Sequence, residues 1–380
     1  MQKHGIYLLI LTVAGLVALG IVMLFSTSAF ARDSHGDIYY FVKRQGMWLV
    51  VALVVAVVAA SVDYHFWQRT WGLWFAGAFL LLLLCFVPPI GQRINGSSRW
   101  LNIGIGALQP SELAKLAAIF FLAWWFSKFE SRATGLLMGF VAPMGVVALL
   151  LVPIACEVDL GNTALIGGTA ITVIFVAGAA LRWLVFMVAG GLAGILFLAM
   201  HISERHARLL AFMDPAKYRL GEGLQQWQAL IAFGSGGLEG LGLGEGRQKM
   251  LYLPYAHTDF IFPMIGEELG LKMTLLTVAG YLLVCLFGLL VAANARDRFG
   301  GLLGAGAVMM ICLQAAVNIG VTTSLLPNKG MPLPFISYGG SNMVVCLFMV
   351  GLLVNIHRQG KPVNETYSPA LLRARMGPRL

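Results

Sequence analysis

The chain has 380 residues, of which 59% are hydrophobic and only 11% are charged, and it carries a formal net charge of +9 at pH 7. Ordinary soluble domains are about 25% charged, so this composition excludes a water-soluble globular protein. The five cysteines are odd in number and lie in or beside apolar stretches, which is not the pattern of a disulfide framework.

Apolar runs long enough to cross a membrane recur along the whole sequence. About 20 apolar residues in a helix span a hydrocarbon layer of about 30 Å. We therefore expect an all-α polytopic membrane protein with about ten transmembrane helices, in which residues 1–358 form a single transmembrane domain. The predicted spans are residues 7–29, 46–62, 71–88, 111–127, 135–153, 162–180, 181–201, 272–294, 299–321 and 342–357.

The distribution of lysine and arginine predicts the orientation. With both termini in the cytoplasm, the inner segments carry twelve of these residues and the short outer loops carry six, as the positive-inside rule requires. The long outer loop is basic as well. Either long translocated loops simply escape the rule, or this face binds an anionic ligand.

Two long polar segments, 89–110 and 202–258, are predicted to be extracytoplasmic, the second as a large loop between spans 7 and 8. Within it, Gln226–Phe233 predicts a short helix on the membrane surface with its apolar face toward the bilayer. Gly234–Gly246 is rich in glycine, but no predicted strand precedes it and no GxxxxGK[ST] motif occurs, which argues against a nucleotide site. Residues 359–380 form a segment with an excess of basic residues, which predicts a solvated cytoplasmic tail.

The first polar cluster lies at the start of the fourth span. Pro110 and Ser111 before an apolar run are typical of a helix N-terminus, and this start places Glu112 and Lys115 on one helix face. A lysine one turn into a membrane helix is costly unless it is paired or used. Either Glu112 and Lys115 pair to steady the helix, or the lysine supplies a cation for a phosphate group.

The second cluster ends the long outer loop. Asp259 stands where the polar loop meets an apolar run, a place where burial raises the pKa of a carboxyl group and neighbouring cations lower it. Asp259 is therefore a candidate base, and its alternative role is the N-cap of a helix over 260–268. We also expect Glu267 or Glu268 to pair with Lys272, four or five residues further on.

The third cluster, residues 328–341, contains two prolines and three glycines that break the helix pattern. A break at membrane depth is tolerated only where protein or a watery cavity solvates the backbone. A cavity is the simplest explanation, and a purely structural kink is the alternative.

Five strings, in this order, resemble the SEDS family of membrane proteins (shape, elongation, division and sporulation), over about residues 7–357. The strings are RWLNIGIGALQPSELAK, LLAFMDP, IAFGSGGLEGLGLGEGRQK, HTDFIFPMIGEELG and LPFISYGGSN. Within the family, NKGMPLPFISYGGS and the loop before QPSE are more similar to the division members, FtsW, than to the elongation members, RodA.

The resemblance implies a peptidoglycan glycosyltransferase in the bacterial inner membrane that polymerises lipid II, a disaccharide peptide on undecaprenyl pyrophosphate. The implied partners are lipid II, a class B penicillin-binding protein that supplies the transpeptidase, and other divisome or elongasome membrane proteins, with no nucleic acid. Similarity to FtsW implies septal synthesis during division, and a RodA-type elongation role is the alternative.

Family motifs also imply roles for particular residues. Asp259 corresponds to the essential aspartate of the HTD motif, and Asp159 begins a DLG motif that either orients a basic residue or caps the sixth span. Tyr255 replaces a glutamate found in many members, which weakens any scheme with a second carboxylate beside Asp259, and Val158 replaces a proline. The candidate substrate-binding residues are Arg99, Trp100, Ser111, Glu112, Lys115, Arg247, Lys249, His257 and Ser337, and the candidate orienting or structural residues are Asp159, Pro110, Pro334, Gly339 and Gly340.

The implied reaction assigns chemistry to these residues. An α-linked sugar on pyrophosphate gives a β-1,4 product by inversion, so the acceptor hydroxyl attacks directly and a base, here Asp259, takes its proton. The leaving pyrophosphate needs positive charge, which Arg99, Lys115, Arg247 or Lys249 could supply. No motif provides metal-ligand spacing. We expect no dedicated cofactor or metal site, and a divalent cation that shares the phosphate is left open.

Two other classes of protein compete with this interpretation. A transporter or lipid II flippase would suit broken outer helices, but transporters place ionisable groups near the midplane and have repeated halves, whereas here the charges cluster outside and no repeat is present. A noncatalytic scaffold would activate a separate synthase, and then Asp259→Asn would leave polymerisation intact.

Overall fold

The computed structural model describes residues 2–28, 37, 39–88, 90–94, 97–102, 107–201, 203–250 and 252–360. Of the predicted tail, 359–380, residues 361–380 lie outside these ranges, and Gln359 is the last residue of α12. Within them the chain forms twelve α-helices and three short strands. The helices are α1 Gln2–Ser28, α2 Tyr40–Ser61, α3 His65–Leu84, α4 Pro110–Lys128, α5 Ala142–Cys156, α6 Leu160–Val176, α7 Leu181–His201, α8 Ser203–Met213, α9 Leu224–Gly236, α10 Ile261–Ala293, α11 Arg298–Thr322 and α12 Gly340–Gln359.

Each of the ten apolar runs coincides with a helix, which confirms the multi-pass helical membrane class. In the described ranges, six helices are long and apolar enough to cross a membrane: Gly5–Ser28, Tyr40–Ser61, Leu137–Cys156, Ile261–Ala293, Arg298–Thr322 and Gly340–Gln359. The helix α6 is apolar but shorter. The helices α3 and α4 carry tryptophans and charged residues within their apolar sequence.

A small antiparallel sheet departs from the all-helical prediction. It lies between α3 and α4 and consists of strands β1 Gly91–Ile94, β2 Ser97–Asn102 and β3 Ala107–Leu108, in the order β1-β2-β3. Gly91 pairs with Leu101 in this sheet. Backbone hydrogen bonds hold the three strands together, and Arg99 lies on β2, which contacts α4.

The centre of the bundle is α4, most of whose residues are buried. It packs against α3, α6 and α11, while α12 packs against α2, and α1 packs against α10. Helices at the periphery of the bundle expose apolar side chains, such as Val50, Val54 and Val57 on α2, as expected where lipid is the solvent. Among the residues that the structure describes, buried polar side chains are most frequent on α10, with four, and on α1, α4 and α11, with three each, which makes these helices candidates to carry the site.

Arg298 connects the C-terminal ends of α4 and α6. Its guanidinium donates to the carbonyl of Phe126 near the end of α4 (3.1 Å) and to the carbonyl of Ala177 just after α6 (2.7 Å), and it pairs with Glu130. Carbonyls at helix C-termini have no partner within their own helix, and a cation there is favoured by the helix dipole. One side chain at the start of α11 therefore completes the ends of two neighbouring helices.

The long segment 202–258 contains more helix than expected, because α8 Ser203–Met213 and α9 Leu224–Gly236 both lie within it. The helix predicted at Gln226–Phe233 is confirmed as α9, but its buried face packs on α10 and α11. Gln226 donates to the carbonyls of Val321 (3.1 Å) and Leu326 (2.8 Å). Small residues on this face allow a close approach, whereas Leu230 and Ile231 remain partly exposed.

The helix α10 is interrupted at Gly270, where φ is 74° and ψ is −175°. A regular helix would pair the amides of Leu271 and Lys272 with the carbonyls of Glu267 and Glu268. Here the amides of Leu271 and Lys272 donate instead to the carbonyls of Gly237 (2.9 Å) and Leu238 (3.5 Å). The carbonyls of Glu267 and Glu268 accept from the amides of Leu241 (2.9 Å) and Gly242 (3.0 Å). We call residues 237–249 the glycine segment, and it replaces the hydrogen bonds that the interruption removes.

The predicted pairing of Glu267 or Glu268 with Lys272 is wrong. Lys272 pairs with Glu239 of the glycine segment, and Glu268 pairs with Lys249. The interruption at Gly270 turns the chain, so residues four apart across it no longer share a helix face as they would in a regular helix.

We expect Gly270→Ala to destabilise the protein. The φ of 74° and ψ of −175° at Gly270 lie in a region that essentially only glycine adopts, so a side chain there costs about 1–3 kcal/mol for the backbone alone, and a Cβ would also collide with the backbone of the glycine segment. The melting temperature of the purified protein in detergent should fall by several degrees. Gly145→Ala in α5, where a Cβ would meet no atom within 4 Å, is the control and should leave the melting temperature unchanged or slightly higher. Equal melting temperatures for the two variants would contradict this explanation.

Candidate functional site

Asp259 lies at the end of the long outer segment, two residues before α10. The N-cap of α10 is Phe260, and no side chain caps this helix, so the alternative role of Asp259 as N-cap is wrong. Its carbonyl accepts a hydrogen bond from Asn318 Nδ2 (2.8 Å), which also donates to the carbonyl of Met331 (2.6 Å). A Cβ at Gly330 would collide with the Asp259 carboxylate. One amide on α11 therefore brings the Asp259 loop and residues 329–332 together.

Asp159 directly precedes α6 and lies close enough to Asp259 for its charge to act on that residue. Its Oδ1 accepts from the amide of Asn162 (3.2 Å), which confirms the predicted cap. Its Oδ2 accepts from Asn162 Nδ2 (2.8 Å) and Gln109 Nε2 (3.3 Å). Arg99 and Lys329 each approach this carboxylate to 3.9 Å. Asp159 is thus a cap and also lies between two cations.

We call Arg99, Asp159, Asp259 and Lys329 the outer cluster, because they lie in or beside the segments predicted to be outside. The pKa of Asp259 is set by its burial and by the charges of the other three residues. Burial raises the pKa of Asp259 to about 6. Arg99 and Lys329 act in the opposite direction and lower this pKa, whereas the negative charge of Asp159 raises it. A carboxyl group with this pKa is ionised at neutral pH and can still accept a proton readily, as a general base requires.

Two residues of the cluster were missed by sequence reasoning. Lys329 also donates to the carbonyl of Val158 (3.3 Å). Glu157 is buried two residues before Asp159, beside Cys85, and its burial raises the pKa of its carboxyl group to about 8. A signal was present for each, because Glu157 precedes the DLG motif by two residues and Lys329 lies in the helix break that carries Gly330. Neither signal shows that segments far apart in sequence meet.

Glu112 and Lys115 form a buried ion pair with Nζ and Oε1 2.6 Å apart, and both side chains are at most 2% exposed. Lys115 also donates to Gln314 Oε1 (2.9 Å), and Asn342 donates to Glu112 Oε2 (3.2 Å). Gln314 in turn donates to the carbonyl of Pro332 (2.8 Å). Both charged side chains thus have partners within the protein, and through Gln314 the pair contacts Pro332, in the segment that packs beside Asp259.

The other candidates on α4 and β2 lie nearer to the outer cluster. Ser111 is fully buried and accepts from Asn162 Nδ2 (3.1 Å), and Pro110 is the first residue of α4, as predicted. Trp100 lies next to Arg99 on β2, pairs with Gln92 across the sheet and is partly exposed. These residues connect the sheet and the start of α4 to Asp159.

Candidates in the second outer segment fall into two places. Lys249 is buried against Glu268 at 2.6 Å, away from Asp259, and Arg247 is exposed while its amide donates to Glu267 (2.8 Å). His257 is partly buried, with its ring 4.4 Å from that of Phe41. The structure therefore places Arg99 in the outer cluster and places Lys249 beside Glu268.

The helix break after α11 is held by protein side chains. Ser337 donates to the carbonyl of Thr258 (2.5 Å) and accepts from the amide of Leu333 (2.8 Å), and Tyr281 donates to the carbonyl of Pro334 (2.5 Å). Gly339 and Gly340 lead into α12, and a Cβ at Gly340 would collide with the ring of Trp48. Buried polar side chains thus solvate this backbone.

No group of three or more histidine, cysteine, aspartate or glutamate side chains is placed to hold a metal ion in the part of the chain that the structure describes. The charge available to an anion in the outer cluster comes from the guanidinium of Arg99 and the ammonium of Lys329.

We expect Lys115→Met to destabilise the protein by about 3–5 kcal/mol, because it leaves the Glu112 carboxylate buried without its cation. The double variant Glu112→Gln/Lys115→Met should recover most of that loss. Thermal unfolding in detergent measures both. Single and double variants of wild-type stability would contradict the structural role and favour direct use of Lys115 on a phosphate.

Comparison with known proteins places this geometry in context. A family model described as "Cell cycle protein", for FtsW, RodA and SpoVE, matches residues 7–362. The chain is 41% identical to a probable peptidoglycan glycosyltransferase FtsW from Geobacter metallireducens, over 95% of this chain and 96% of that protein. It is 38% identical to stage V sporulation protein E from Bacillus subtilis, over 93% and 97%.

Two solved structures share the fold. One, described as the structural coordination of polymerization and crosslinking by a peptidoglycan synthase complex, matches with a TM-score of 0.77 and 25% identity over 93% of this chain and 97% of that one. The rod shape determining protein RodA of Thermus thermophilus matches with a TM-score of 0.69 and 26% identity over the same shares.

Proposed function

The chain belongs to the family of FtsW, RodA and SpoVE cell cycle proteins, and on that premise we propose that it is a peptidoglycan glycosyltransferase of the bacterial inner membrane that polymerises lipid II. Family membership confirms the resemblance seen in the sequence motifs. The observation that carries the mechanism is the outer cluster, in which Asp259 lies among Arg99, Asp159 and Lys329.

In this proposal Asp259 is the general base. Inversion at the donor sugar needs a group that takes the proton of the acceptor hydroxyl as the new bond forms. Burial supports this role because it raises the pKa of Asp259 to about 6, closer to neutral pH than that of an ordinary carboxyl group. The approach from the side of Gly330 is closed by the backbone, so the acceptor reaches Asp259 from another side.

Arg99 and Lys329 are proposed to bind the pyrophosphate of the donor. Both cations lie 3.9 Å from Asp159, which holds them on the same side as Asp259. Positive charge stabilises the leaving pyrophosphate as its bond to the sugar breaks, and arginine suits phosphate oxygens because its donors are arranged as a fork. A divalent cation on the phosphates is compatible with this arrangement.

The topology completes the proposal. We propose ten spans with both termini in the cytoplasm and with the segments 89–110 and 202–258 outside, as the distribution of basic residues favours. This orientation places the outer cluster where lipid II is presented after its transfer across the membrane. The partner is proposed to be a class B penicillin-binding protein, since a related fold occurs in a peptidoglycan synthase complex, and similarity to FtsW supports a role at the septum.

Asp259→Asn should abolish polymerisation, because the amide has nearly the same shape but cannot act as the base. Purified protein, with and without its cognate penicillin-binding protein, would be given lipid II, and glycan products would be separated on gels. Glu222→Gln, on the same outer segment and exposed beside Arg208, is the matched control and should polymerise normally. Polymer from folded Asp259→Asn would overturn the mechanism.

The rate should fall as the pH drops through about 6, because protonation removes the base. Lys329→Met removes a charge that lowers the pKa of Asp259, so this acid limb should move to higher pH and the maximal rate should fall. Asp159→Asn removes a charge that raises it, so the limb should move to lower pH. Lys217→Met, at an exposed position, should leave the profile unchanged. Shifts of both cluster variants in the same direction would contradict the assignment.

A further inference from the structure

The glycine segment is fastened to α10 by side chains as well as by backbone. Glu267 and Glu268 lie just before the interruption at Gly270 and are at most 1% exposed. Glu267 accepts the amides of Arg247 (2.8 Å) and Gln248 (3.1 Å). Two consecutive carboxylates thus face the segment instead of solvent, which is costly unless every oxygen has a partner.

Glu268 has several such partners. Its carboxylate accepts from the ammonium of Lys249 (2.6 Å), the hydroxyl of Ser26 (2.7 Å) and the amide of Gly244 (3.0 Å). Lys249 also donates to the carbonyl of Gly244 (2.6 Å) and to Ser26 (2.7 Å). We call Ser26, Lys249 and Glu268 the clamp, and it joins the end of α1, the glycine segment and α10 in one buried cluster.

The position of the clamp in the chain connects it to Asp259. Lys249 is the last residue of the glycine segment, and the loop that contains Asp259 runs from there into the start of α10 at Ile261. Both ends of this loop are thereby fixed to the first part of α10, one by the ion pair of Lys249 with Glu268 and the other by the chain itself. Within the loop, Tyr255 takes a positive φ of 59°, which a long side chain adopts only where surrounding contacts hold it.

We propose that Ser26, Lys249 and Glu268 are positioning residues for Asp259, which they act on by holding the loop closed on α10. This inference rests on the proposed role of Asp259 as the base, but the clamp itself is a separate feature of the fold. Asp259 is half-buried, closure of the loop limits the access of water to it, and burial is the largest cause of its raised pKa. Arg99, Asp159 and Lys329, which face Asp259 from β2, α6 and the helix break, stay in place when the clamp is opened.

An opened clamp should therefore change the pH dependence as well as the rate. Lys249→Met leaves Glu268 as a buried carboxylate without its cation, which loosens the segment. Water then reaches Asp259, its pKa falls toward that of an ordinary carboxyl group, and the acid limb of polymerisation moves to lower pH by more than half a unit. The maximal rate should fall at least tenfold, while the KM for lipid II changes by less than threefold.

The chain offers a matched control for this experiment. Lys272 and Glu239 form a second ion pair between the same two elements, but their side chains are 69% and 75% exposed. Lys272→Met should leave both the rate and the acid limb unchanged. The neutral double variant Lys249→Met/Glu268→Gln removes the buried charge and serves if the single variant does not fold. It should shift the acid limb in the same direction, because it also lacks the ion pair that joins the glycine segment to α10.

A second measurement does not depend on activity. Hydrogen exchange of the amides in residues 241–260, followed by mass spectrometry in detergent, should be at least tenfold faster in Lys249→Met and unchanged in Lys272→Met. If the wild-type protein made no polymer, the proposed function would fail, and faster exchange would still support the clamp. Wild-type exchange and an unshifted acid limb in folded Lys249→Met, or in the double variant, would overturn the proposal.

Discussion

The structure around Asp259 depends on the need of every buried peptide group for a hydrogen-bond partner. Helical structure is interrupted there twice, within α10 at Gly270 and between α11 and α12. At the first interruption the backbone of the glycine segment supplies the missing partners. At the second, side chains of Gln314, Asn318 and Tyr281 bind the exposed carbonyls. Each interruption is therefore also a point where distant segments are joined.

These joints place the charged groups of the outer cluster. Asn318 links the carbonyl of Asp259 to that of Met331, close to Lys329 and Gly330. The buried pair of Glu112 and Lys115 supports the same segment through Gln314. The charges around Asp259 therefore depend on a polar network inside the bundle, and its groups cannot be removed singly without leaving a buried partner unsatisfied. The arrangement explains why ionisable side chains are buried in a chain that has few charged residues.

Local sequence was sufficient for features that depend on neighbouring residues. Apolar run length located the helices, Pro110 marked the start of α4, and the family motif located Asp259. Local sequence was not sufficient where the chain turns or where distant segments meet. The interruption at Gly270 separates Lys272 from the glutamates before it, so spacing along the sequence predicted the wrong partner. Nothing near Asp159 in the sequence indicates that Lys329, 170 residues later, would come within 3.9 Å.

The same distinction applies to α9 and to the small sheet. The amphipathic pattern of α9 predicted a helix, but the pattern does not distinguish a lipid-facing surface from a protein-facing one, and small residues with Gln226 proved to face α10 and α11. The sheet of β1, β2 and β3 is too short to show a clear alternation of apolar and polar residues. Tertiary contacts decide both cases.

The glycine segment has a consequence for how this chain tolerates changes in length. Its composition is that of a flexible linker, in which an added or deleted residue is usually harmless. Here, however, the amides of Leu241 and Gly242 and the carbonyls of Gly237 and Leu238 each have a fixed partner on α10, and Gly240 and Gly246 fit where no Cβ has room. An insertion of one residue would put each group one position out of register, as a slip does in a β-sheet. A segment with the sequence of a linker thus has the strict length of a paired strand.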